Sequence, residues 1–177
     1  VYSFIPRSVW GGVKSFWNIE TRLAGKAAAA GTLRDRRVRY PLTGVLTYAL
    51  AFWLGGLWGI LAVALCSAVA IAMLEVINFV EHYGLQRDLD DKGKYERTRP
   101  QHSWNSPHAL TGALLFGLPR HSDHHFLASR PYPILRHHED APQLPAGYAA
   151  MFLLALFPPV WRRVMDPRVG AVHAATR

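Results

Sequence analysis

A single cysteine, Cys66, occurs in 177 residues. Such a chain can build no disulfide framework and no cysteine-based zinc or iron–sulfur site. Set in an apolar run, Cys66 reads as a small lipid-phase or core residue. Acidic residues are scarce too: twelve Asp and Glu face twenty Lys and Arg, a formal charge of +8. Anionic lipid or an acidic partner protein fits that balance. Nucleic acid is not expected, since no recognised nucleic-acid module is present and the apolar blocks would go unexplained.

The longest gap is in charge of either sign: residues 42–74 contain no Asp, Glu, Lys or Arg. As one straight helix that run would measure about 50 Å, against a hydrocarbon thickness of roughly 30 Å. Two spans are therefore expected, near residues 40–54 and 58–79. The break is expected within Leu54-Gly55-Gly56-Leu57-Trp58-Gly59, whose glycines permit a tight turn, with Trp53 and Trp58 as interface anchors. Arg34, Arg36, Arg37 and Arg39 precede the run and by the positive-inside bias mark the cytoplasmic side. Two spans return the chain to that side, so residues 81–177 are expected in the cytoplasm.

Upstream, Trp10, Val13 and Trp17 fall at helical spacing. They fit either an amphipathic helix on the membrane surface or an ordinary helix packed on the rest of the protein. Downstream, residues 147–161 are apolar but shorter than a span, interrupted by Pro158 and Pro159 and closed by Arg162 and Arg163; an interfacial segment is expected. The alanines at 27–30 end or link the first helix, and the last dozen residues read as frayed.

Chemistry concentrates in His121-Ser122-Asp123-His124-His125. On a helix, spacings of three and four place all three imidazoles on one face. Neutral imidazole binds iron, zinc, copper and nickel, and the spacing leaves the metal open. Asp123 would be an acceptor that fixes a ring tautomer. A second group, Glu75, Asn78, Glu81 and His82, lies along one stripe at the end of the apolar run, where ionisable groups are costly and point to function. His102 and His108 read as supporting rather than ligating residues, and His137 and His138, in a proline-bounded loop, as surface.

Three segments carry a resemblance: Asn78-Phe79-Val80-Glu81-His82-Tyr83-Gly84-Leu85, Gln101-His102-Ser103-Trp104-Asn105-Ser106 and Arg120-His121-Ser122-Asp123-His124-His125. They resemble the C-terminal half of membrane-bound bacterial alkane 1-monooxygenases, within the wider fatty acid desaturase and hydroxylase superfamily. Leu144-Pro145-Ala146-Gly147-Tyr148 and Val164-Met165-Asp166-Pro167-Arg168-Val169 are similar as well.

The resemblance implies an all-α integral membrane bundle with a di-iron centre of two non-haem irons at the cytoplasmic helix ends. Carried over, His82, His121, His124 and His125 would be iron ligands, with Asn78, Glu81 and Asp123 as supports. The implied reaction is terminal hydroxylation of n-alkanes to 1-alkanols with O₂, in a bacterial inner membrane. Electrons would come from an acidic rubredoxin, served by its flavin-containing reductase and docking on the arginine-rich surface. Pro119, where relatives often carry a longer polar residue, would kink the approach to the histidine helix. That family carries two further histidine boxes upstream, whereas residues 1–30 hold no histidine and the chain begins at Val1; a partial sequence is expected. The whole is read as one partial domain: 1–39 amphipathic and cytoplasmic, 40–80 spanning, 81–177 catalytic. The alternatives are a lipid desaturase or related di-iron hydroxylase, and a non-catalytic metal-binding membrane protein.

Overall fold

The structure, a computed structural model, describes residues 1–26 and 30–175. Of the alanine run expected to end the first helix or link it onward, only Ala30 lies within those residues. Among the described residues six helices follow one another: α1 (Phe4–Lys26), α2 (Arg36–His82), α3 (Ala109–Leu114), α4 (His121–Phe126), α5 (Tyr148–Ala155) and α6 (Pro158–Ala175). Short 3₁₀ turns occur at Pro100–His102 and Tyr132–Ile134. Among the described residues, β structure is limited to isolated bridges, Leu89 with Tyr95 and Asn105 with Gln143. The all-α expectation holds. The chain divides into two compact units, residues 2–75 and 76–177.

In the first unit, α2 starts on a strong cap. The buried Asp35 carboxylate accepts from the Arg37 backbone N–H at 2.9 Å and from the Arg37 guanidinium at 2.7 Å. That satisfies a free N–H of the first turn, and the guanidinium holds the Asp35 carboxyl below the usual carboxylate range. Glu20 and Thr21 of α1 reach the same turn through Arg36 and Arg37, at 3.0 and 2.8 Å. Phe16 stacks on Tyr40, their centroids 5.7 Å apart. Of the stripe of Trp10, Val13 and Trp17, only Trp17 meets this turn, with the Arg37 guanidinium 5.6 Å over its ring, and all three remain exposed.

Within α2 the helix is broken where the glycines predict it: Gly55 has φ −141° and Gly56 has φ +55°, ψ −142°. The second conformation is open in practice only to glycine. A Cβ added at Gly59 would lie 2.0 Å from the Ala51 carbonyl oxygen. Eight residues along one straight helix would separate them by about 12 Å, so the chain doubles back and the arms touch backbone to backbone. Trp53 and Trp58 stand 79% and 80% exposed at the bend. Helical hydrogen bonding outruns the apolar pattern at both ends, beginning at Arg36 and closing at His82. Only 11% of the most apolar window of α2 is covered by protein, the mark of a helix whose solvent is lipid.

The second unit has its own core: Val76, Val80, Trp104, Leu135, Leu144, Tyr148, Met151, Ala155, Trp161 and Met165. Phe79 and Tyr83 at the end of α2 both pack on Trp161, at centroid distances of 5.3 Å. The C-terminal stretch, expected to be frayed, is helical over its described residues, and α6 continues to Ala175. Its middle is held by Tyr83, whose hydroxyl donates to Asp166 at 2.7 Å, and its far end by the His173 ring on the Gly84 carbonyl at 3.0 Å. Gly84 needs its φ of +72°, and a Cβ there would strike Val169 at 2.6 Å. Residues 147–161 are not one element: Pro158 opens α6, a position where its missing N–H costs nothing. In α5, Tyr148, Met151 and Ala155 face the core.

Candidate metal centre

The site is built where the end of α2, the extended segment after the Pro100–His102 turn, and α4 meet. Trp104 ties the first two together: its backbone N–H donates to the Glu81 carbonyl at 2.8 Å and its indole N–H to the Tyr83 carbonyl at 2.9 Å. Asn105 grips α4 with both ends of its amide. Its Oδ1 accepts from the Ser122 backbone N–H at 2.9 Å, and its Nδ2 donates to Ser122 Oγ at 2.6 Å. The Asn105 backbone is itself fixed to Pro142 and Leu144 at 2.8 and 2.7 Å. Pro119 is fully buried and its carbonyl accepts from the Ser106 N–H at 3.0 Å.

This framework brings His82, His121 and His125 together, with one ligating atom of each within 4.8 Å of the others. His82 Nε2 and His121 Nε2 face one another at 3.2 Å. Two nitrogens bound to one metal at about 2.0–2.1 Å are roughly 2.8 to 3.4 Å apart between right-angled and tetrahedral geometry, so this pair has the bite of two ligands. The His121 and His125 rings are 4.3 Å apart, and the His82 and His125 rings 5.2 Å. His124 lies outside the group, exposed, with its ring 6.3 Å from that of His121. The helix explains the split. At about 100° per residue, His121 and His125 differ by about 40° around α4, while His124 is about 100° from His125.

All three clustered rings are held neutral. Burial, then the His125, His82 and His124 rings, push His121 down to about 2. Partial burial, then His82, His124 and Arg87, bring His125 to about 4. Burial also lowers His82, against a hydrogen bond to the His102 backbone. Neutral imidazole with a free lone pair is the metal-binding form, so the donor set fits a transition metal. Behind His121 sits Glu81, buried, its Oε1 accepting from the Tyr148 hydroxyl at 2.9 Å and lying 3.3 Å from His121 Nδ1. Burial pushes the Glu81 carboxyl up to about 8, with the Tyr148 hydrogen bond opposing it. His121 Nδ1 is a buried nitrogen with no hydrogen bond of good alignment.

Other expected supports sit differently. Asp123 does not touch a clustered ring. Its fully buried carboxylate accepts from Arg130, from the Arg136 backbone N–H at 2.8 Å and from His138 Nε2 at 2.8 Å. His138 is thus not a surface residue as expected but half-buried against Asp123, while His137 is exposed. Burial raises the Asp123 carboxyl, but Arg136, His138 and Arg130 together hold it down at about 2. His102 contributes its backbone to His82, and its ring bonds the Arg99 N–H at 3.0 Å and faces Glu96 at 3.1 Å. His108 pairs with Ser106 Oγ at 3.0 Å, away from the cluster. Asn78 is half-buried on the turn before His82, and Glu75 is buried. The sequence reading assigned no role to Trp104, Asn105, Ser122 or Tyr148, although each lies inside a quoted segment.

A helical membrane chain that brings imidazoles together at the end of an apolar helix defines a class. The chain belongs to the fatty acid desaturase family, whose model matches residues 1–155, and with α2 this makes it a membrane protein. It is similar to alkane 1-monooxygenase 2 of Pseudomonas aeruginosa, 46% identical over 179 residues, covering 98% of this chain and 46% of that protein. It is also similar to alkane 1-monooxygenase 1 of the same organism and alkane 1-monooxygenase 2 of Alcanivorax borkumensis. Each is 43% identical, with 98% of this chain and 46% of the relative covered. The chain spans about half the length of these curated relatives.

Proposed function

We propose that this chain supplies part of a histidine-ligated di-iron centre that hydroxylates n-alkanes at the terminal carbon. The reaction balances as R–CH₃ with O₂, two electrons and two protons giving R–CH₂OH and water. The observation that carries the reading is the convergence of His82, His121 and His125, with one ligating atom of each within 4.8 Å of the others, at the end of α2.

An unactivated C–H bond offers no purchase for acid–base chemistry, so bound iron would supply the oxidation. His82, His121 and His125 would hold it, with exposed His124 as the fourth imidazole. Four imidazoles do not fill two irons, and the remaining ligands would come from the half of the relatives that this chain does not span. The apolar arms of α2 present a greasy route that an alkane would share with lipid. Arg36 and Arg37, at the start of α2, support a cytoplasmic origin for the hairpin in a bacterial inner membrane and a cytoplasmic site. Rubredoxin, reduced by its reductase, is the proposed donor, drawn to the net positive charge. The parts are then those of a single partial domain: 1–39 at the cytoplasmic surface, 40–80 spanning, and 81–177 carrying the site, with 147–161 near the interface.

The test is conversion of octane to 1-octanol with rubredoxin, reductase and NADH. The chain is assayed alone and co-expressed with the upstream half of a Pseudomonas aeruginosa relative. Turnover is expected only in the second case, and His82→Ala or His121→Ala should abolish it together with bound iron. The family match also favours a desaturase reading, which predicts new double bonds in membrane acyl chains and no octanol. Robust turnover by the chain alone would overturn the partial-site account.

A further inference from the structure

Two nitrogens of His121 compete to face the cluster, and which one does so decides whether α4 offers a donor or an N–H. We propose that Tyr148 and Glu81 are positioning residues that settle this competition, which rests on the metal-centre reading above. Glu81 Oε1 stands 3.3 Å from His121 Nδ1, and the opposite nitrogen, Nε2, is the one that meets His82. When Nε2 binds a metal, Nδ1 carries the ring's proton, and the acceptor in front of it is Glu81. Such an outer hydrogen bond fixes the ring's orientation and raises its basicity.

The carboxylate is held in turn. Tyr148 donates its hydroxyl to the same Oε1 at 2.9 Å across 67 residues of sequence. Tyr148, Glu81 and His121 are 1%, 2% and 5% exposed, so no solvent competes for these groups. A buried phenol needs a partner for its O–H, and here that partner is the oxygen behind the donor imidazole. Placement of the ring depends on a close approach: a Cβ at Gly147 would come within 2.8 Å of Thr111 Oγ1. Glycine there lets α5 begin against α3 and delivers Tyr148 to Glu81.

The purified chain, titrated with Co²⁺, gives two readouts. They are Co²⁺ affinity and the paramagnetically shifted, exchangeable ring N–H signal that His121→Ala removes. Tyr148→Phe keeps the ring and deletes only the hydroxyl. It should retain helix content and thermal midpoint, weaken Co²⁺ by about 10-fold and make the His121 N–H exchange faster with water. Glu81→Ala should lose more, and Glu81→Gln, which keeps an acceptor oxygen, should recover part of the difference. If Tyr148→Phe does not fold, the contrast between Glu81→Gln and Glu81→Ala decides on the same readouts. Wild-type affinity and N–H protection in Tyr148→Phe and Glu81→Ala, with His121→Ala still abolishing both, would overturn the positioning role and leave the metal centre standing. No Co²⁺ uptake by the wild-type chain even when co-expressed with the upstream half of a relative, or uptake indifferent to His121→Ala, would overturn the metal centre itself.

Discussion

Residues 2–75 and residues 76–177 solve opposite problems with similar helices. In the first unit the arms of α2 turn Leu54, Leu57, Leu65 and both bend tryptophans outward. In the second unit the interior takes in Glu81, Asn105, Ser122 and Asp123, each hydrogen-bonded to a neighbour from another segment. The difference teaches what each part is adapted to exclude. Lipid covers apolar side chains without specificity, so the first unit needs only composition and a sharp bend. A histidine cluster needs fixed directions, and directions come from buried polar pairs that are costly to leave unmade.

The contrast breaks first at Asp123. Replacing it by Ala strands Arg130 and His138 beside a void, and about 3–5 kcal/mol of stability should be lost, read by denaturant unfolding in detergent. Acid probes the same group with a defined sign. Its carboxyl is lowered from 3.8 to about 2 in the folded state, so its contribution is complete above pH 4 and disappears as pH falls towards 2. The Asp123→Ala variant should lack that component of the acid transition.

Equal truncations sharpen the comparison. Met151, buried in the core of the second unit, should cost about 2–5 kcal/mol on replacement by Ala. Gly56→Ala forces a side chain into a glycine-only conformation and should cost about 1–3 kcal/mol, with cysteine cross-linking between the arms falling in parallel. Leu65→Ala, 67% exposed, should shift stability by less than about 0.5 kcal/mol. A large Leu65 effect would mean that protein, not lipid, covers that face.

What could be read in advance follows the same division. The bend in α2 was legible because glycine acts locally, and the uncharged run was visible in composition alone. The histidines at 121, 124 and 125 were legible by spacing, but spacing could not tell that His82 docks on the edge shared by His121 and His125 and leaves His124 aside. Nor could periodicity reveal His138 on Asp123 or Tyr148 on Glu81, since those pairs join segments 15 and 67 residues apart. The persistence of α6 to Ala175 was hidden for the same reason: Tyr83 and Gly84, far upstream, hold it.

The two-handed grip of Asn105 on Ser122 has a kinetic corollary. At six residues, α4 is far shorter than a helix that sustains itself in water. Its shape is therefore borrowed from the segment that grips it. An arriving ion would meet donors already in position instead of having to wind them up, so its capture should be governed by encounter and its escape by the lifetime of that amide grip.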